Sequence, residues 1–397
     1  MDSLRRAAPP SRPRIARLTL RDFRSYASLD LALDGRCIVF TGENGAGKTN
    51  LLEAISLFTP GRGLRRADLG EMARHAGAGG FVAAVEVDDG EGEPRRLGVG
   101  YGAEDGEGAQ RRLRIDRAPA PSSQAFSEFV RLIWLTPAMD GLFSGPAGDR
   151  RRFLDRLVLS LDPSHGSRVG QFERALRGRN KLLEDGAPRD GRRAAWLDAI
   201  EREAAELGIA IAAARSETVA RLNGIVEATR SGDSPFAWPR VALEGEFEGA
   251  IAALSALEAE DFYRRRLAGG RDRDCAAGRT LVGPHAADLA VRHGPNDAAA
   301  ADCSTGEQKA LLVSLILAHA RLVGEMSAIA PIVLLDELAA HFDPRRREAL
   351  FDGLLALGSQ VFVTGADPAA FAALAGRAAM FEVCGGAVRP VAMGIGR

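Results

Sequence analysis

Gly42-Glu43-Asn44-Gly45-Ala46-Gly47-Lys48-Thr49 is where residue types and spacing in this 397-residue chain most directly imply chemistry. The run reads G-x-x-x-x-G-K-T. An apolar strand-like stretch ending in Val39 and Phe40 precedes it, and a helix-forming stretch, Asn50-Leu51-Leu52-Glu53-Ala54-Ile55, follows. Glycines at 42, 45 and 47 let the backbone close on phosphate oxygens and turn its N–H groups inward. The helix N-terminus behind them adds a positive partial charge. The pattern predicts that residues 42–50 hold ATP, with Lys48 bridging the β- and γ-phosphates and the Thr49 hydroxyl ligating Mg2+. A chance glycine-rich turn is the competing reading, but it has no need of a strand before it and a helix behind it.

A second chemical pair lies at Pro331-Ile332-Val333-Leu334-Leu335-Asp336-Glu337, an apolar strand ending in two carboxylates. In a parallel α/β sheet the carboxyl end of a strand faces the ligand crevice. Asp336 is expected to hold Mg2+ through water, and Glu337 to orient and deprotonate the attacking water. Lys48, Asp336 and Glu337 form the expected catalytic set. Without the loop, the pair would read equally well as a strand capped by exposed acids.

Asp302-Cys303-Ser304-Thr305-Gly306-Glu307-Gln308-Lys309 opens the helical stretch ahead of that strand. Ser304 and Glu307 have the spacing of a capping box, which is a sufficient structural explanation. The same run, 32 residues ahead of Asp336, also resembles the signature motif of ABC-type ATPases. The resemblance implies that Ser304 and Gly306 bind the γ-phosphate of ATP held by a second copy, giving an ATP-dependent homodimer. Leu338-Ala339-Ala340-His341-Phe342-Asp343 stands where that class has its D-loop. Asp343 matches, but Ala340 replaces the usual serine. Thr364 stands where many transporters carry a histidine. Both departures argue against a transporter.

These residues need a parallel sheet to present them. The expected fold is α/β: an ABC-type (P-loop) ATPase head with an inserted, mainly helical second lobe. Residues 1–13 read as a disordered tail. Residues 14–145 and 279–397 read as the two parts of the ATPase lobe, and 146–278 as the insert. Strands are predicted over 15–20, 37–41, 81–87, 96–101, 112–117, 241–247, 332–335 and 360–364, with a last one at 380–384. Helices are predicted over 150–161, 169–183, 194–230, 251–267, 308–323, 345–357 and 368–375. A hydrophobic content of 46% suffices for a sizeable core, and a net charge of −1 advertises no global field for nucleic acid. Three lysines stand against 49 arginines among the 52 basic residues, a bias that reads as genomic composition. Cys37, Cys275, Cys303 and Cys384 form no C-x-x-C pair, which speaks against zinc or a disulfide framework. The longest uncharged apolar stretch, near 311–320, is short of a membrane span, so a cytoplasmic location is expected.

Lys48 and Asp336 lie 288 positions apart, too far for a transporter domain and too near for the coiled-coil arms of SMC proteins. The chain resembles the RecF family of bacterial recombination mediators nearly end to end. The resemblance rests on an ordered set of segments: Leu20-Arg21-Asp22-Phe23-Arg24-Ser25-Tyr26, residues 42–50, Arg150-Arg151-Arg152-Phe153-Leu154-Asp155, Leu176-Arg177-Gly178-Arg179-Asn180-Lys181-Leu182-Leu183, Gly283-Pro284-His285-Ala286-Ala287-Asp288-Leu289, and the Ser304 signature. It implies a weak, DNA-stimulated ATPase that binds duplex and gapped DNA, works with RecR and RecO, and helps load RecA in replication and repair. It further implies that Arg24 reaches the nucleotide phosphates. The plain alternative is a surface arginine in a hairpin turn. Arg62, Arg65 and Arg66, and Arg111, Arg112 and Arg114, are candidate DNA contacts, though such runs are commonly just solvated faces. A non-catalytic ATP-gated adaptor and a transporter ATPase subunit remain the alternative functions.

Overall fold

The computed structural model describes residues 10–102, 109–184, 186, 191–230, 234–338 and 342–391. Its chain divides into two compact units. One holds the described residues up to Asp140, Thr229–Trp238, and those from Ser304 onward; Gly141–Ala228 and Pro239–Cys303 form the other. The helical unit therefore runs to Cys303 rather than to 278. The reason is the strand Asp288–His293, which pairs with Pro239–Glu244 in an antiparallel ribbon and so belongs with it. Of the expected tail, residues 1–9 lie outside the described residues. Ser11 is already tied down, its N–H donating to the Ala328 carbonyl at 2.8 Å and its carbonyl accepting from Ala330 at 2.7 Å.

In the first unit a six-stranded sheet runs in the order Ala387–Val391, Ala379–Cys384, Cys37–Thr41, Val361–Gly365, Ile332–Leu335, Leu132–Leu135. All neighbours are parallel except the outermost pair, 379–384 with 387–391. The four strands from Cys37–Thr41 to Leu132–Leu135 are buried along their whole length, so they read as unbroken apolar runs such as Ile332-Val333-Leu334-Leu335. Register aligns Thr41 with Gly365, and Leu335 with Val363. Their carboxyl ends therefore emerge along one edge, with Val361–Gly365 between the strand leading to the loop and the strand leading to Asp336. The expected last strand at 380–384 is not the last. Gly385 and Gly386, at φ 55° and 82°, make a two-residue turn into Ala387–Val391.

A second sheet in this unit is antiparallel, in the order Tyr26–Ala32, Arg14–Phe23, Phe81–Asp88, Arg95–Gly102, Gln110–Ile115, Ala118–Pro119. Alternation along Arg14–Phe23 sends Leu18 and Leu20 inward, and Phe23 is buried too, after the left-handed Asp22 at φ 47° breaks the alternation. They share one core with Phe40, Phe362 and Phe381, and with Leu51, Leu52 and Ile55 of the helix Lys48–Ser56. Each such side chain contributes about 1.5–3 kcal/mol on burial, so the loop helix is clamped by apolar packing on its inner face. Gln360 joins the two sheets, its side chain accepting from Ile15 N at 2.7 Å and donating to Ile15 O at 3.0 Å. The helix Thr305–Ser327 is long and apolar enough to span a membrane, but most of its apolar window is buried in the fold, as in a core helix.

The second unit is built on Ala147–Leu161, His165–Leu183 and the 39-residue helix Gly191–Thr229. The stretch predicted as one helix over 251–267 is broken: Glu246–Ile251 ends, and Ser255 with Glu258 forms a capping box that starts Ala256–Gly269. Phe172, Ile209, Phe247, Tyr263 and Leu267 share its core.

Candidate functional site

The loop that leaves Cys37–Thr41 turns through Gly42, Gly45 and Gly47 at φ 148°, 83° and 110°. At Gly42 a Cβ would collide with the Val383 carbonyl, and at Gly47 it would lie 2.7 Å from Ser25 Oγ, so both positions require glycine. Buried Tyr26 donates its hydroxyl to Gly47 O at 3.0 Å, and Asn50 Nδ2 donates to Ser25 Oγ at 3.0 Å. The hairpin turn thus holds the loop from behind. Burial raises the Tyr26 phenol pKa, so it remains a neutral donor. Glu43, Asn44 and Gly45 are exposed at the crest, and Ala46 packs partly on the core. Gly47 supplies no side-chain cap, leaving the first N–H groups of Lys48–Ser56 available to an anion. Lys48, buried, donates to Gly42 O at 2.7 Å and Glu43 O at 2.8 Å, and its Nζ lies 3.9 Å from Glu337 Oε1.

Asp336 is 6% exposed and lies against the loop. Thr49 Oγ1 donates to its carboxylate, 2.9 Å from Oδ1 and 3.0 Å from Oδ2. Thr364 Oγ1 donates to Oδ1 at 2.7 Å and accepts the backbone N–H of Glu337 at 3.0 Å. Glu337 turns away from the strand with φ 52°, left-handed for a residue with a side chain. Two hard oxygen donors, Thr49 and Asp336, therefore converge from opposite sides of the Val361–Gly365 strand. That set fits Mg2+, which keeps most of its octahedral shell as phosphate and water. Glu337 reaches the same place and keeps its carboxylate partly in solvent. The chemistry such a site supports is an in-line attack of water on a terminal phosphate.

Other expected residues stand apart from this cluster. Ser304 N donates to Glu307 Oε2 at 2.9 Å, and Glu307 N donates to Ser304 Oγ at 3.4 Å, so the capping box is real. Ser304 and Thr305 are exposed, and among the described residues no hydrogen bond joins Ser304 to the phosphate loop of its own chain. Gly306 is open apart from Arg346. Ala340 and His341 lie outside the described residues. Asp343 caps the helix Pro344–Ala356 through Arg346 N at 3.0 Å, a bond that lowers its pKa.

Arg24 is bound to Glu53 by two parallel bonds, 2.9 Å and 2.7 Å, and donates to Glu71 O at 2.6 Å. Glu53 is fully buried on the loop helix and also takes Arg65 at 3.1 Å. Sequence reasoning passed over Glu53. Its signal is a carboxylate on the apolar face of an otherwise buried helix, which demands a cation. Arg62 makes an exposed pair with Asp68, and Arg66 is exposed. In the other cluster, strand alternation separates the arginines. Arg112 and Arg114 stand opposite Gly100 and Gly98, whereas Arg111 stands opposite Tyr101. Among the described residues two guanidinium nitrogens of Arg111 are buried without a hydrogen-bond partner, and burial lowers its pKa.

The arginine run at 150–152 is not a plain solvated helix start. Arg150 pairs with Asp288 at 2.8 Å and 2.7 Å, and Arg151 donates to Ala287 O at 2.7 Å. Gly283, at φ 140°, lies where a Cβ would collide with the Tyr263 hydroxyl. These segments build the second unit.

The RecF/RecN/SMC N terminal domain family matches residues 14–385. The DNA replication and repair protein RecF of Mesorhizobium japonicum is 53% identical over 382 residues, 96% of this chain and 99% of the relative. That of Brucella abortus is 50% identical over 380 residues, 95% of this chain and 96% of the relative. Among solved structures, the recombination mediator protein RecF with ATP, from the RecFOR pathway, matches with TM-score 0.80 at 19% identity over 98% of this chain and 100% of that one. An Smc head domain of Pyrococcus furiosus matches at 0.52 and 14% identity, covering 96% of each chain. At these identities the structural likeness shows the fold alone: an ABC-type ATPase head with an inserted, mainly helical lobe.

Proposed function

We propose that this chain, which belongs to the RecF family of DNA replication and repair proteins, is an ATPase that uses ATP and Mg2+ to control its hold on DNA. The observation that carries this is the convergence of Thr49 and Asp336, 2.9 Å apart, beside a loop helix with an uncapped N-terminus. Lys48 neutralises the β- and γ-phosphates, Thr49 and Asp336 hold the metal side, and Glu337 takes the proton of the attacking water. When bound, Mg2+ offsets charge on the phosphates.

The exposed start of the Thr305–Ser327 helix supports the second half of the reading. Ser304 and Gly306 complete the site of a second copy, so ATP drives homodimerisation. Turnover is weak and stimulated by DNA, with duplex and gapped DNA as ligands and RecR and RecO as cytoplasmic partners. Arg62, Arg66 and Arg114 are the favoured phosphate contacts, because their side chains are exposed, with Arg112 beside them donating to Gly102 O at 3.0 Å. Arg24 and Arg65 meet Glu53 first, so their part is to brace the loop helix.

The test is DNA binding with and without ATP, on gapped and intact duplex, across a salt series, alongside sedimentation of Ser304→Arg. ATP is expected to raise DNA retention and to dimerise the wild type but not the variant, with retention falling steeply with salt. Dimerisation of Ser304→Arg on ATP would exclude the shared site. An unchanged dimer lifetime and turnover in Glu337→Gln would favour an ATP-gated adaptor without hydrolysis.

A further inference from the structure

The hydroxyl of Thr364 lies at the centre of the site, bonded to the two neighbouring acids. Its side chain is fully buried at the end of Val361–Gly365. It donates its one proton to Asp336 Oδ1 at 2.7 Å and accepts from Glu337 N at 3.0 Å. One hydroxyl thereby joins the two neighbouring acids, through the side chain of the first and the backbone of the second. Asp336 Oδ1 also receives Thr49, so its orientation is set from two sides. Among the described residues the Glu337 carboxylate has only the Lys48 ammonium beside it, at 3.9 Å. The Glu337 backbone is in the left-handed region at φ 52°, a conformation that costs a non-glycine residue about 1–2 kcal/mol. The Thr364 oxygen is the acceptor that holds its N–H in that turn.

We propose that Thr364 is a positioning residue for hydrolysis: it locks the turn that aims the Glu337 carboxylate and ties that aim to the carboxylate on the metal side. This rests on the reading of Asp336 and Glu337 as the hydrolytic pair. The geometry explains why a threonine serves here. Its methyl group fills a fully buried strand position, and its hydroxyl both donates and accepts. Valine has nearly the same shape and can do neither. In Thr364→Val, Asp336 keeps Thr49, so metal and nucleotide binding persist. Glu337 N–H loses its buried acceptor, the turn relaxes, and the carboxylate leaves the line of attack.

The experiment compares Thr364→Val, Thr364→Ser and Glu337→Gln with the wild type. ATP turnover is measured with duplex DNA present, the ATP Kd in Mg2+ by a fluorescent analogue, and Tm by thermal melting. Thr364→Val is expected to lose roughly 10- to 100-fold in kcat, the scale of a misaimed reacting group, with ATP Kd within about threefold of wild type. Thr364→Ser, which keeps the hydroxyl, is expected to return kcat to within about threefold. Parallel loss of kcat and ATP affinity in the valine variant, or equal loss in the serine variant, would assign Thr364 a merely structural role and overturn the proposal. Full turnover in Thr364→Val while Glu337→Gln is inactive would overturn it as well. Full turnover in Glu337→Gln would instead remove the hydrolytic pair itself, and this proposal with it.

Discussion

The phosphate loop and the second unit use buried charge in opposite ways. In the second unit the charged groups close on one another. Arg179 is 0% exposed and spends its donors on Glu201, Asp274, Thr280 and the Leu267 carbonyl. Arg215 makes two parallel bonds to Asp155, whose Oδ1 also meets His165 Nε2 at 2.8 Å. In the first unit the Lys48 ammonium rests on two loop carbonyls with Glu337 only at 3.9 Å, and the helix behind it has no side-chain cap. A closed network fixes a shape. An open one keeps electrostatic capacity for a charge that arrives later, and phosphate is the charge whose geometry matches.

Breaking the closed side should give the largest effect. Arg179→Met leaves Glu201 and Asp274 buried with fewer partners and should destabilise the second unit by about 3–5 kcal/mol, read by urea denaturation followed by circular dichroism. The same class of change on the open side should behave differently. Lys48→Met should cut ATP turnover roughly 100-fold or more while nucleotide-free stability stays near wild type. If Lys48→Met instead unfolds the protein, the contrast between the two networks fails.

Smaller effects lie in the titration of the second unit. For Asp155, burial pushes the pKa up, but the bonds from His165 and Arg215 and the Arg215 charge leave it below the ordinary carboxylate range. A depressed pKa adds stability above the unfolded value that is lost as pH falls through the carboxylate range. Asp155→Asn should therefore be about 1–3 kcal/mol less stable than wild type at neutral pH, with the gap narrowing in acid. Glu248 is the exception to closure. Its carboxylate oxygens are buried with no partner on any other described residue, and burial raises its pKa against the opposing pull of its own backbone N–H, Arg215 and Arg151. A raised pKa means stability that is complete at low pH and declines as pH rises through the folded value. Glu248→Gln should gain about 1 kcal/mol over wild type at pH 8 and little at pH 4, measured as Tm across a pH series.

Local chemistry was legible where one short segment contains the whole argument. The strand, loop and helix around residues 42–49 are such a case, because phosphate binding by backbone N–H groups needs only neighbours in sequence. The apolar run into Asp336-Glu337 is another. Partnerships across long separations were not legible. Glu53 with Arg24 and Arg65 carried a signal that a list of arginines does not rank. The extent of the helical unit was also hidden. Asp288–His293 is too short to announce its pairing with Pro239–Glu244, and that pairing, with the bond from Arg150 to Asp288, assigns it to the second unit.

Residue order alone decided that a phosphate-binding loop, an acid-ended strand and a signature-like helix start lie on one chain, since each is a property of consecutive residues. Tertiary structure decided their use. It set Thr49 and Asp336 within hydrogen-bond distance across 287 positions, and put Thr364 between the two acids. It also turned Arg24 toward the buried Glu53 carboxylate and Arg150 toward the partly exposed Asp288, while leaving Arg114 exposed. The physical reason is that a side chain's charge is written in the sequence, whereas its partner is chosen by burial and register, which exist only once the sheets have closed on their core.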